Sequence, residues 1–84
     1  MTYTVTFERD ATRALARIPN HDFGSITTAI NALKHNPHPP GAKKLVGRRG
    51  WRIRVGNYRV IYDIDDTELV VTVIDVGPRS DIYR

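Results

Sequence analysis

Apolar and polar residues alternate along Trp51-Arg-Ile-Arg-Val-Gly-Asn-Tyr-Arg-Val-Ile-Tyr62 with a period of two, interrupted at Gly56-Asn57. That pattern predicts a β-hairpin, because successive side chains of a strand point to opposite faces and glycine accepts the positive φ of a tight primed turn. The two-residue turn sets the register: Val55 pairs with Tyr58, Arg54 with Arg59, Ile53 with Val60 and Arg52 with Ile61. Trp51, Ile53, Val55, Tyr58, Val60 and Tyr62 then share one face, and Arg52, Arg54 and Arg59 share the other. Upstream, Thr2 to Phe7 alternates threonine with apolar residues and reads as a first strand. Ala11, Ala14, Leu15 and Ile18 recur at helical spacing behind Asp10 as a cap, with Pro19 closing the helix. Phe23, Ile26, Ile30 and Leu33 do the same behind Asp22, until Asn36-Pro37. Residues 37 to 50 have no clear period and read as a Pro/Gly-rich basic loop, fixed at its ends and mobile between, with Leu45 and Val46 its only candidate for regular structure. Leu69 to Val76 is apolar in both phases, the mark of a strand covered on both faces. A four-residue turn pairing Ile64 with Leu69 would set Tyr62 against Val71, Val60 against Val73 and Arg59 against Ile74. The expected fold is α+β: an N-terminal strand, a two-helix hairpin, then a three-stranded antiparallel meander. All strands form one sheet with the helices on one face, which leaves the arginine side open.

At 84 residues the chain fits a single domain, residues 1–84, with a modest core. It has no cysteine, which excludes disulfides, a thiol nucleophile and thiolate metal sites and suits the cytoplasm. No apolar run approaches the roughly 18 residues of a membrane span. The net charge of +4 is unevenly spread. No Asp or Glu lies between Asp22 and Asp63, an interval that holds Lys34, Lys43, Lys44, Arg48, Arg49, Arg52, Arg54 and Arg59. Such separation puts a positive field over part of the surface, attractive to a phosphate polymer or an acidic protein.

Like charges directly across a ladder cost roughly 0.2–1 kcal/mol, so the Arg54–Arg59 pair calls for an anion. Other chemistries fit poorly. His35 and His38 flank Asn36-Pro37, and the proline breaks the helix that would bring the two rings to one face, so no metal site is expected. No phosphate loop precedes a helix, Ser80 has no nearby histidine, and Asp63, Asp65, Asp66 and Glu68 fall in a polar turn. Cleavage of RNA by internal transfer needs a base for the 2′-hydroxyl, neutralisation of the phosphorane oxygens and an acid for the leaving 5′-oxygen. Arginine suits the second task, since its planar fork holds phosphate bidentately and keeps its charge. Tyr83 could stack on a base or act on a proton. Arg9, Arg13 and Arg17, at four-residue spacing, read as a solvated helix face.

The layout, with Trp51 to Tyr62, Val76-Gly-Pro-Arg79 and the terminal Asp81-Ile-Tyr-Arg84, resembles the RelE toxins of bacterial and archaeal toxin–antitoxin systems over nearly the whole chain. The Tyr58-Arg-Val-Ile-Tyr62 strand is shared across the RelE/ParE superfamily, while the basic pairs and terminal tyrosine are marks of the RNA-cleaving branch. The resemblance implies an mRNA interferase: a cytoplasmic endoribonuclease that cuts mRNA in the ribosomal A site without a metal or other cofactor. It also implies a cognate antitoxin, acidic and partly disordered, that blocks the toxin in a hetero-oligomer. Carried over by position, the family's catalytic residues fall on Arg52, Arg54, Arg59, Arg79 and Tyr83, and a basic loop residue falls on Lys44. Lys43, Lys44, Arg48 and Arg49 would track the RNA backbone. The family's usual pattern has lysines where this chain has Arg52 and Arg54, an exchange that keeps phosphate clamping but not proton transfer. Two other functions fit the same scaffold: a ParE-like toxin that poisons DNA gyrase without cleaving, and an RNA- or antitoxin-binding module that has lost cleavage.

Overall fold

A computed structural model describes residues 2–78. The elements run β1 (Thr4–Phe7), α1 (Arg9–Ala16), α2 (Asn20–Ala32), β2 (Lys43–Lys44), β3 (Trp51–Val55), β4 (Tyr58–Asp65) and β5 (Val70–Pro78). The strands form one mixed sheet in the order β1-β5-β4-β3-β2, with β1 parallel to β5 and the other pairs antiparallel. The expected α+β arrangement is therefore present, enlarged by β2 at one edge. Ala11, Ile26, Ile30 and Leu33 from the helical segment are buried with Ile53, Val60, Tyr62, Val71, Val73 and Val76 of the sheet. Each fully buried Val or Ile is worth roughly 1.5–3 kcal/mol relative to exposure, so this single layer of contacts carries the fold. Phe23 does not join it and stays 42% exposed, because α2 turns that position outward.

The β3–β4 hairpin has the register read from its turn: Val55 opposite Tyr58, Arg54 opposite Arg59, Ile53 opposite Val60 and Arg52 opposite Ile61. Gly56 supplies the positive φ, at 59°. The β4–β5 register differs from the expected one. Ile64 pairs with Val71 and not Leu69, and Tyr62 pairs with Val73. The turn lies one residue later, because the Asp65 side chain accepts the N–H groups of Thr67 and Glu68 and Leu69 takes φ 56°. A shift of two residues in pairing preserves the faces. Further along, a bulge at Ile61/Tyr62 skips Ile74, so Ile61 pairs with Asp75, Val60 with Val76 and Arg59 with Gly77, not Ile74. The two-phase apolar run of β5 thus reflects a change of phase at the bulge, which keeps Val76 in the core and turns Asp75 away.

The segment after α2 is held at several points between its ends as well as at the ends themselves. Tyr62 donates its hydroxyl to the Pro37 carbonyl at 2.7 Å, the His38 ring meets Trp51 edge-on at 4.7 Å, and Leu45 N–H bonds the Gly50 carbonyl at 2.9 Å. Regular structure falls on Lys43–Lys44 and not on Leu45 and Val46. Gly50 is required there: at φ 116° a Cβ would sit 3.0 Å from the Tyr62 carbonyl oxygen. The helix caps also shift. Glu8 and Pro19 are the N-caps, while Asp10 and Asp22 lie in the first turns, where a carboxylate favours the positive end of the helix dipole. β1 begins at Thr4, and α2 ends at Ala32, ahead of Asn36-Pro37.

Candidate functional site

The sheet face opposite the helices carries Arg52 and Arg54 from β3 and Arg59 from β4, as cross-strand pairing requires. β2 adds a fourth cation. Lys43 lies directly opposite Arg52, so two like-charged pairs, Lys43–Arg52 and Arg54–Arg59, stand side by side. Lys44 belongs to the other side, its ammonium 5.7 Å from the centroid of the Trp51 ring in a cation–π contact. Lys43, Arg52 and Arg54, with Pro40, Gly41 and Ile53, line a cleft of about 260 Å³.

This face is not the open surface expected from the sequence. Arg52 and Arg59 are 8% and 6% exposed, whereas Arg54 and Lys43 are exposed. Topology accounts for the contrast. Arg52 is flanked by Lys43 and Ile61, and Arg59 by Arg54 and Gly77, so each has a strand on both sides. β2 is too short to reach Arg54, which stands at the edge of the sheet. The arrangement offers an anion two exposed cations at the rim and two guanidiniums set deeper.

Over residues 2–83 the chain matches a family model described as ParE toxin of type II toxin-antitoxin system, parDE. The chain belongs to the RelE/ParE family of type II toxins. Among its relatives, toxin RelG of Mycobacterium tuberculosis is 34% identical over 100% of this chain and 99% of its own. Toxin RelE of the same organism is 33% identical over 98% of this chain and 87% of its own. The toxin–antitoxin complex RelBE2 from M. tuberculosis contains a chain that superposes with TM-score 0.79 at 31% identity, covering 94% of this toxin and 100% of that chain. The archaeal RelE–RelB complex from Pyrococcus horikoshii gives TM-score 0.80 at 25% identity, covering 96% and 99%.

The remaining basic residues of the toxin sit on the β2–β3 connection. Arg49 reaches back to Asp63 at 2.9 Å, and the Asp63 carboxylate also accepts the N–H of Ile64. With Arg49 86% exposed, the ion pair orients the tip more than it stabilises the toxin. Arg48 is exposed beside Val46, which is 96% exposed. Arg79 and Tyr83 lie outside the described residues. Among the described residues no group of acidic or histidine side chains could hold a metal ion, and no helix is long and apolar enough to cross a membrane.

A second cleft of the toxin, about 480 Å³, lies between α1 and the ends of β4 and β5, lined by Asp10, Arg13, Arg17, Tyr58, Asp75 and Pro78 among others. Arg13 and Arg17 border this concavity, and Arg9, Arg13 and Arg17 are all exposed, as expected of a solvated helix face. Desolvation, then a hydrogen bond to Asp22, hold the Tyr58 phenol above its ordinary range, so it stays neutral there. Sequence reasoning gave Lys43 no role distinct from Lys44. Separating them required the parity of a two-residue strand that has no pattern of its own.

Proposed function

We infer that this toxin is a metal-independent endoribonuclease that cuts mRNA in the ribosomal A site and is held inactive by an acidic, partly disordered antitoxin. The observation that carries this reading is the paired register of Lys43 with Arg52 and Arg54 with Arg59 on the sheet face away from the helices. Each like-charged pair costs the folded chain roughly 0.2–1 kcal/mol, and a bound phosphodiester would reverse the sign of that term. The names of the similar proteins support the same class, since two are RelG and RelE toxins and the similar structures include RelE–RelB complexes.

In this mechanism Lys43 and Arg54 capture the backbone, and Arg52, Arg59 and Arg79 spread the charge of the phosphorane as the 2′-oxygen attacks phosphorus. Arg48 and Arg49 would follow the RNA outward from the cleft, Lys44 stays against Trp51 on the other side of the sheet, and Tyr83 would orient the reacting nucleotide. Cytoplasmic action follows, because the ribosome is the site of cutting. The antitoxin would cover the basic face with carboxylates and order as it binds. Gyrase poisoning is the second reading, favoured by the ParE description of the family model. Two assays run on one preparation separate them. Primer extension on a translated message should reveal new 5′ ends at ribosome-occupied codons, with DNA gyrase supercoiling unaffected. Intact message with inhibited supercoiling would establish the second reading instead.

A further inference from the structure

Cleavage by internal transfer leaves a 5′-alkoxide unless an acid delivers a proton, and the charged groups of the basic face differ in their ability to do so. Arg52, Arg54 and Arg59 hold their protons too tightly for the task. Asp63 is engaged by Arg49 and by the N–H of Ile64, and Asp75 accepts the N–H of Val76 and borders the cleft beside α1. Lys43 is the one amine that the described strands place on this face. It is exposed, it pairs across the ladder with Arg52, and it shares the 260 Å³ cleft with Arg52 and Arg54. Gly41, on the same cleft, has open space where a side chain would be, so a nucleotide can approach the ammonium from that side. Lys44 is committed to Trp51 on the opposite face.

Resting on the ribonuclease reading, we propose that Lys43 is the general acid of the cleavage. As the 2′-oxygen bonds to phosphorus and releases its proton to a solvent water, the P–O5′ bond breaks and the Lys43 ammonium gives a proton to the departing oxygen. The products are a 2′,3′-cyclic phosphate and a 5′-hydroxyl, and the lysine amine recovers its proton from the hydronium formed in the first transfer. Arg52 and Arg54 in the same cleft hold the phosphate in place for the transfer.

The test compares single-turnover cutting of two ribosome-bound messages, one with the normal 5′-oxygen and one with a 5′-bridging sulfur at the scissile linkage. A thiolate departs without protonation, so loss of a general acid is rescued by sulfur and loss of structure or binding is not. Lys43→Arg, which keeps the capturing charge but not a transferable proton, should slow the oxygen substrate by about 10²-fold or more, yet cut the sulfur substrate within a few-fold of the parent. Parental cutting of the oxygen substrate by Lys43→Arg, or an equal deficit on both substrates, overturns the assignment while leaving the ribonuclease reading intact. A parent toxin that cuts neither message overturns both.

Discussion

Arg54 faces Arg59 across the ladder with no β2 partner on its outer side, and on the ribonuclease reading proposed above its charge serves an anion and not the fold. Arg54→Thr removes the like-charge pair and introduces a residue suited to strands. It should stabilise the free toxin by roughly 0.2–1 kcal/mol, read as a higher urea midpoint at unchanged slope, and the gain should shrink in high salt. A destabilised variant would mean that Arg54 holds the sheet together. Tyr62 shows the opposite economy. It is buried, its hydroxyl satisfies the Pro37 carbonyl, and burial pushes its pKa up to about 12. Ionisation is thus harder in the folded chain than in the unfolded one, whose phenol titrates near 10. The stabilisation is complete below pH 10 and is lost as pH rises from 10 through about 12. Denaturant midpoints across that window should fall for the parent. In Tyr62→Phe that contribution should disappear, from a start lowered by roughly 1–3 kcal/mol because the buried carbonyl loses its donor.

Between residue and fold stands the bulge of β5. Ile74 is the extra residue of the bulge: skipping it sets Val76 against Val60, whereas pairing it with Ile61 would set Asp75 against Val60 in the core. Deleting Ile74 should therefore leave Tyr62–Val73, Ile61–Asp75 and Val60–Val76 in a regular ladder with the faces kept, at a cost of roughly 0.5–3 kcal/mol and with cooperative unfolding retained. Loss of cooperative unfolding in the deletion variant would show that the bulge does more than take up one surplus residue. The β3–β4 hairpin was legible in the sequence because a two-residue turn leaves one register and six apolar side chains agree with it. β5 was not, since a four-residue loop closed by the Asp65 side chain and a later bulge both shift pairing without a local mark. β2 was also hidden: two lysines carry no periodicity, and their pairing depends on Gly50 folding the connection back.

At the scale of the molecule, the absence of acidic residues between Asp22 and Asp63 becomes a charged sheet face because β2, β3 and β4 are neighbours. The convergence of Arg52, Arg54 and Arg59 followed from local alternation. The burial of Arg52 and Arg59 did not, because it depends on strands brought alongside from elsewhere in the chain, as does the parallel pairing of β1 with β5. The central claim is that this face grips the scissile phosphate. Arg59→Ala tests it most directly, with message cutting on ribosomes and antitoxin affinity measured on the same preparation. Cutting is expected to fall by about 10²-fold or more while the antitoxin, spread over a larger surface, still binds. Parental cutting by Arg59→Ala would contradict the claim.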